Sequence, residues 1–326
     1  MVVVTGIRGY LGSLIYEKLK KDGKHTVVGI SRQDVNLEDA EAVKKFFQTQ
    51  NEIEKIETVV HCACAGNSAT PEDDFSIIPS NIKMMQNILS SIDSNVRLIL
   101  TSSGAMRNRN FPSHVKVEDH LILPTDAYGL SKYLCCQMTL NLPNVLGIVI
   151  YGLFGETEPE YRFFKSVITN ALRGDPVYVH DATSIMDFEY TPNLVNFISD
   201  AVADKSLQDL WFAAFRPERA SLYEHALRIT GKCYAYKQIL ISNGALTESN
   251  PYYATDISLV DFSDRYKPKF NSSYISTDLN HISSDFITYY ASLKNNMIAG
   301  EKLLSMDEGI DEMIRKLAPT VLGITL

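Results

Sequence analysis

The first half of the chain alternates continuous apolar runs with amphipathic stretches. Val2-Val3-Val4-Thr5 opens the series, and further apolar runs fall at residues 26–31, 58–63, 96–101 and 146–150. Between them, residues 11–21, 40–48, 82–92 and 131–139 read as helices; in the second of these Ala42, Val43, Phe46 and Phe47 share one side. Apolar strands without polar alternation, separated by helices, predict a parallel sheet covered on both faces. The fold class expected is therefore α/β: a Rossmann-type doubly wound parallel sheet with a smaller C-terminal substrate-binding lobe. A nucleotide belongs at the carboxyl ends of such strands.

After Gly155 the pattern loosens. Residues 163–173, 192–203 and 222–230 read as helices, and a last amphipathic helix spans 307–317 and is expected to stop before Pro319. Residues 242–284 are rich in Ser, Asn, Asp, Tyr and Pro and read as loops and short elements. The division expected is a dinucleotide-binding Rossmann domain of residues 1–155 plus about 182–212, and a substrate-binding lobe of about 156–181 and 213–326. No internal repeat or low-complexity tract stands out.

Composition adds exclusions. The formal charge of −8 without a long basic run argues against nucleic acid or an anionic membrane as the main partner. The most apolar stretch, residues 145–154, is far shorter than a membrane span, and no leader pattern opens the chain. A cytoplasmic protein is expected. Five cysteines is an odd count. Cys62 and Cys64 alternate on a predicted strand and Cys135-Cys136 lie on a predicted helix. No second ligand pair with metal spacing follows, so the cysteines read as reduced, packed thiols and no metal is expected.

Two motifs carry chemistry. Thr5-Gly6-Ile7-Arg8-Gly9-Tyr10-Leu11-Gly12 lies between a strand and a helix. Gly6 allows the tight turn, Gly9 the close approach of a pyrophosphate, and Gly12 the packing of helix on strand. Arg8, Tyr10 and Leu11 complete the loop, and the helix amides then face the anion. The second strand ends in Gly29-Ile30-Ser31-Arg32, with no acidic residue to accept from a ribose 2′-hydroxyl. Ser31 can donate to a phosphate and Arg32 can pair with one, which favours NADP(H) over NAD(H); the alternative is that Arg32 is a solvated surface arginine. Downstream, Tyr128 and Lys132 lie one helical turn apart. A phenol of pKa about 10 is a poor base at neutral pH, and a lysine on the same face stabilises its anion. With the glycine loop, the pair predicts redox chemistry on a carbonyl or alcohol.

These segments resemble the extended short-chain dehydrogenase/reductase family, and within it the NAD(P)-dependent sugar-nucleotide epimerases, dehydratases and reductases. The match rests on Thr5 to Gly12, Asp34-Val35, His61-Cys62-Ala63, Asn81 with Asn87, Thr101-Ser102-Ser103, Pro124 through Lys132, Phe154-Gly155, Asp187-Phe188-Glu189-Tyr190 and Met306 to Ile310. The resemblance implies that Asp34 and Val35 flank the adenine, that Cys62 and Ala63 pass backbone beside the cofactor, and that Asn81 supports the site. It implies catalytic Ser102, Tyr128 and Lys132: Tyr128 donates a proton, Lys132 also bonds the nicotinamide ribose, and Ser102 polarises the carbonyl, with Ser103 an alternative for that place.

Relatives that epimerise beside the keto group carry an acid/base residue two positions after the catalytic serine, and dehydratases commonly carry Asp-Glu there. Here Ser103 and Gly104 occupy those places and are expected to contact substrate instead. His114 and His180 remain as substitutes. Many relatives place an arginine just before Asp-Phe-x-Tyr; here Met186 stands there, and Arg162, ahead of Arg173 and Arg216, is the candidate for binding diphosphate. The reading favoured is an NADPH-dependent reductase of a nucleotide-diphospho-4-keto-6-deoxy-sugar. A sugar-nucleotide 4-epimerase or dehydratase, and a non-catalytic dinucleotide-binding regulatory protein, stay open. The resemblance also implies a homodimer, for which Met84, Met85, Ile88, Leu134 and Met138 offer a surface if they do not face their own sheet.

Overall fold

The structure is a computed structural model and describes residues 1–67, 74–106, 123–179, 186, 188–204, 210–214, 220–253, 259–261, 297–298, 301–302 and 304–325. Strand and helix alternate as expected: β1 Val2–Thr5, α1 Tyr10–Asp22, β2 Val27–Ile30, α2 Ala40–Ile53, β3 Thr58–His61, α3 Ile77–Ser91, β4 Arg97–Ser103, a 3-10 turn at Gly104–Met106, α4 Ala127–Thr139 and β5 Val145–Ile150. Then follow β6 Leu153–Phe154, α5 Phe163–Arg173, β7 Val177–Val179, β8 Glu189–Tyr190, α6 Thr191–Ala203, β9 Leu210–Ala214, α7 Leu222–Ser242, β10 Leu259–Asp261, β11 Met297–Ile298, β12 Glu301–Lys302 and α8 Met306–Leu322.

The main sheet has the order β2-β1-β3-β4-β5-β9, and every pairing in it is parallel. This is the Rossmann-type arrangement anticipated from the apolar runs. From β1 the chain steps to β2 on one side and then returns to β3 on the other. The carboxyl ends of β1 and β3 therefore form the switch point at which open α/β sheets bind ligands. The outermost strand, β9, was not foreseen; its Leu-Trp-Phe-Ala-Ala run pairs with β5 from Leu146↔Leu210 to Ile150↔Ala214.

Backbone contacts divide the chain into two units. The first comprises described residues within Met1–Tyr151, Asn193–Ala214 and Asp278–Lys302; the second, those within Gly152–Pro192, Phe215–Thr277 and Leu303–Leu326. The first unit's core joins the sheet residues Val3, Val59, Leu98 and Val145 to the helix residues Val43, Phe47, Met85 and Ile88. Met84 belongs to the same core and Met138 packs against it. Met84, Met85 and Ile88 are thus buried within their own subunit, the second of the two placements expected for them, while Met138 is half-buried. The second unit's core gathers Phe154, Phe164, Phe188 and Tyr190 with Ile310 and Met313 of α8, and Phe154 stacks on Phe164 at 4.3 Å between centroids.

Several helix boundaries differ from the expectation, each for a local reason. α3 begins at Ile77 rather than 82, because Pro79 falls in the first turn, where a missing N–H leaves no bond unmade. α7 continues through Gly231 to Ser242 instead of ending at 230. Burial of Cys233 and Leu240 beyond the glycine repays its poor helix propensity. α8 runs past Pro319 to a left-handed cap at Gly323; Ala318 and Leu322 are buried on either side of the proline and hold the last turn in place. Among the described residues no helix is long and apolar enough to cross a membrane.

Candidate dinucleotide and carbonyl site

At the switch point the loop after β1 touches the backbone leaving β3. Gly6 has φ +75°, and a Cβ there would stand 2.7 Å from the Ala63 nitrogen and 2.9 Å from the Cys62 carbonyl carbon. Only glycine satisfies both the left-handed dihedral and that approach. At Gly12 an added Cβ would collide with the Gly6 carbonyl oxygen and approach Cys62 Cβ to 3.3 Å, so α1 closes directly onto the turn. Gly9 differs. An added Cβ would meet only the Gly6 oxygen, at 3.3 Å, and the residue is exposed at the N-cap of α1. The first intrahelical bond is Ser13 N–H to the Gly9 carbonyl; the amides of Tyr10, Leu11 and Gly12 precede it, at the positive end of the helix dipole. Arg8 is exposed beside them. Glycine 9 as an open platform under first-turn amides fits a dinucleotide pyrophosphate.

The neighbouring Thr5 hydroxyl ties the two strands together, a role its sequence position did not reveal. Its Oγ1 accepts from the Cys62 and Ala63 amides at 3.2 Å each and lies 2.8 Å from His61 Nδ1. A hydroxyl has two acceptor sites and one proton. Both acceptor sites are taken, so the proton points to Nδ1, which leaves His61 neutral with its own proton on Nε2. Burial, with Lys132 nearby adding repulsion, pushes the His61 pKa down to about 3. Burial raises the Cys62 thiol to about 12. Asn81, buried on α3, accepts from the Ala65 amide at 2.8 Å, donates to the Ala65 carbonyl at 2.9 Å and donates to Ser131 Oγ on α4 at 3.1 Å. It clamps the loop after β3 to α4. None of the five cysteines is in a disulfide, and the described residues hold no His/Cys/Asp/Glu group of metal-binding size.

At the end of β2, Ser31 is not a loose donor. Its amide and hydroxyl both donate to Asp34 Oδ2, at 2.8 and 2.6 Å, and these bonds lower the Asp34 pKa, with Arg8 contributing at longer range. The Ser31 hydroxyl is thus engaged by a carboxylate, which counts against its expected donation to a phosphate. Arg32 is 80% exposed and pairs with Glu38 at 3.1 Å. An exposed pair of this kind is weak, and the guanidinium is available to an anion at little cost. Val35 is buried in the unit's core.

The catalytic candidates assemble at the carboxyl end of β4. Ser102 is buried there, with its hydroxyl 3.6 Å from the Met106 sulfur, and Ser103 Oγ accepts from the Ala105 amide at 3.2 Å. α4 brings Tyr128 and Lys132 alongside. Lys132 Nζ is 5.8 Å from the centre of the Tyr128 ring and 3.5 Å from the Thr101 carbonyl, one residue before Ser102. Burial opposes the ammonium, and the nearby Cys64, Tyr128 and Cys135 outweigh it and raise the lysine's pKa. The helix is placed by other residues of the same segment. Asp126 caps it, accepting from the Gly129 amide at 2.7 Å, and Ser131 donates to the Tyr128 carbonyl at 2.8 Å. At Gly129 a Cβ would collide with the Ala105 carbonyl oxygen, so α4 lies directly on the 3-10 turn. An aspartate three residues before an in-helix glycine was the available signal.

In the second unit, Arg162 caps the start of α5, with Nε 3.4 Å from Glu158 Oε2 and a donor 3.4 Å from the Leu153 carbonyl. Glu158 is 1% exposed and also accepts from the Lys165 amide at 2.9 Å. Arg173 ends the same helix. His114, His180, Asp187 and Arg216 lie outside the described residues.

Residues 2–209 match the NAD dependent epimerase/dehydratase family, and the chain belongs to it: the protein is an NAD(P)-dependent oxidoreductase of this branch of the extended short-chain dehydrogenases/reductases. Protein CapI of Staphylococcus aureus is 26% identical over 258 residues, covering 68% of this chain and 75% of its own. UDP-glucose 4-epimerase of Lactobacillus helveticus is 24% identical over 232 residues, covering 60% and 69%. Among solved structures, dTDP-4-dehydrorhamnose reductase of Bacillus anthracis in complex with NADP has the same fold, with a TM-score of 0.70 at 17% identity over 97% of this chain and 98% of that one.

Two expectations follow from the geometry. Thr5→Val removes three hydrogen bonds at the switch point and should cost about 2–4 kcal/mol in urea unfolding, whereas Thr5→Ser should lose less than about 1 kcal/mol. Burial raises Glu158 from 4.5 to about 7 against the pull of Arg162 and Lys165. A carboxyl whose folded pKa is raised contributes stability that is complete below its unfolded value and lost as pH rises through the folded value. Thermal melts between pH 4.5 and 7 should therefore show a declining contribution that Glu158→Gln abolishes.

Proposed function

We propose that the protein is an NADPH-dependent reductase of a nucleotide-diphospho-4-keto-6-deoxy-sugar. When bound, the reduced dinucleotide supplies a hydride for C4 of the sugar. Ser102 holds the ketone oxygen by a hydrogen bond, and Tyr128 delivers a proton to that oxygen as it gains charge. Lys132, held at the Thr101 carbonyl beside the Tyr128 ring, stabilises the phenolate left behind and offers a donor to the nicotinamide ribose. Gly6, Gly9 and Gly12, with the first-turn amides, hold the pyrophosphate; Asp34 anchors the adenosine end, and Arg162 is assigned to the substrate's diphosphate.

The observation that carries this reading is position 104. Beside Ser102, Tyr128 and Lys132 there is a glycine, pressed against the Tyr151 ring, where a second acid/base group would be needed for chemistry at a neighbouring carbon. Hydride transfer with one proton needs no such group. A 4-epimerase, which also needs none, is the second reading, and the relationship to UDP-glucose 4-epimerase favours it. The NADPH preference is supported by Arg32 at the exposed end of β2. The homodimer implied by the family stays part of the proposal, with surface drawn from the outer faces of α3 and α4, since Met85 and Ile88 are buried within the subunit.

A panel of keto-sugar nucleotides assayed for NADPH consumption decides between the readings. Net consumption with a 4-keto-6-deoxy substrate is expected, with kcat lowered about 10²–10⁴-fold in Tyr128→Phe; interconversion without net consumption, with dinucleotide retained on purification, identifies an epimerase instead. Arg32→Ala should raise KM for NADPH by about tenfold, the value of one charge-assisted phosphate contact, and leave KM for NADH nearly unchanged.

A further inference from the structure

Gly104 opens a 3-10 turn and is not among the positive-φ glycines of the described residues. Backbone geometry therefore does not demand glycine here; a neighbour does. A Cβ at 104 would lie 2.6, 2.8 and 3.1 Å from Cδ1, Cε1 and Cγ of Tyr151. The ring rests against the Gly104 α-carbon and fills the volume that a side chain at 104 would take. Tyr151 follows the last residue of β5, and Ile150 pairs with Ser103, so the two residues continue side by side beyond the carboxyl edge of the sheet. The tyrosine is only half-buried.

The turn that begins at Gly104 is held at each of its three residues. Gly104 meets the Tyr151 ring. Ala105 binds Ser103 Oγ through its amide, and its carbonyl oxygen is packed against Gly129 of α4. Met106 contacts the Ser102 hydroxyl. Tyr151 and α4 thus both pack directly on the turn, and the two glycines, 104 and 129, allow each close approach. The residue next to Gly129 is Tyr128. In a close-packed stack a displacement of one layer passes to the next, because no void absorbs it.

The geometry points to Tyr151 as a positioning residue for the reaction: through the Gly104–Met106 turn its ring sets the separation between Ser102 and Tyr128. The inference rests on the proposed role of Tyr128 as proton donor. It also bears on why position 104 is blank: a side chain there and the Tyr151 ring in its present position overlap, so a second acid/base group at 104 would require the ring to move or the residue to change.

The test is a double-mutant cycle on Gly104→Ala, Tyr151→Val and their combination, in the full-length protein, with two readouts. In NADPH consumption with the keto-sugar nucleotide, Gly104→Ala should lower kcat by about tenfold to a hundredfold with KM changed less than about threefold, since a shift of an ångström at the proton donor acts on the transition state. The combined variant should recover at least about fivefold of that loss, because the smaller side chain makes room for the methyl. In NADPH titration by nicotinamide fluorescence, which needs no sugar substrate, Gly104→Ala should weaken binding about threefold or more through α4, again with recovery in the combination. If Gly104→Ala does not fold, Tyr151→Val alone decides: its kcat and NADPH affinity should both fall. Purely additive losses in the cycle, a change in KM alone, or a Tyr151→Val protein indistinguishable from wild type in both readouts would overturn the assignment. A wild type that binds NADPH with the expected coupling, yet turns over no keto-sugar nucleotide, would overturn the substrate reading and leave the role of Tyr151 standing.

Discussion

The site depends on one close approach. At the switch point the turn after β1 lies in backbone contact with the chain leaving β3, with Gly6 against Ala63. No side chain separates them, and the Thr5 hydroxyl joins them through two amides and an imidazole. The arrangement is demanding in two ways. It needs a left-handed residue where any Cβ would collide, and it needs three polar groups satisfied by a single hydroxyl, in surroundings where an unmade bond costs more than a made bond contributes. With the strands so placed, α1 can start on the turn itself and present its first amides, and Gly12 lets the helix close down on Gly6.

The second half of the site follows the same logic with different parts. Here the close approach is between the 3-10 turn after β4 and α4, allowed by Gly129 and fixed by the Asp126 cap. Asn81 connects the two halves, because it holds the loop after β3 and Ser131 of α4 at once. Glycines serve at both places to bring polypeptide layers together, and the candidates for the chemistry, Ser102, Tyr128 and Lys132, gather at the second of them. The end of β2, where the adenosine half is expected, is less committed. Asp34 is tied to Ser31, while Arg32 is exposed and weakly paired, so selection of a 2′-phosphate would fall chiefly to one guanidinium.

Much of this was readable in the chain. The apolar runs beginning with Val2-Val3-Val4 predicted the parallel sheet, because a strand buried on both faces has no polar alternation. The Gly6–Gly12 loop and the Tyr128/Lys132 pair were readable because each is a local spacing with a local meaning. Other features were not. Pro319 looked like a helix stop, yet burial of Ala318 and Leu322 carries α8 beyond it. Gly231 looked like an end, yet α7 continues. Ser31 looked like a phosphate donor until Asp34, three residues on, was found to hold it. Met84, Met85 and Ile88 were equally consistent with an inner or an outer face, because a helix packed between a sheet and a partner is apolar on both sides.

The sequence by itself determined the strand–helix alternation, the glycine-rich turn after the first strand and the Tyr128/Lys132 spacing, since each is specified by residues within one or two turns of chain. The tertiary structure alone decided which distant segments meet: Gly6 with Ala63, Asn81 with Ser131, and Gly104 with Tyr151, residues 47 positions apart. The reason is that backbone approach across a sheet edge is set by strand order and packing, and a glycine in a sequence does not say which neighbour it makes room for.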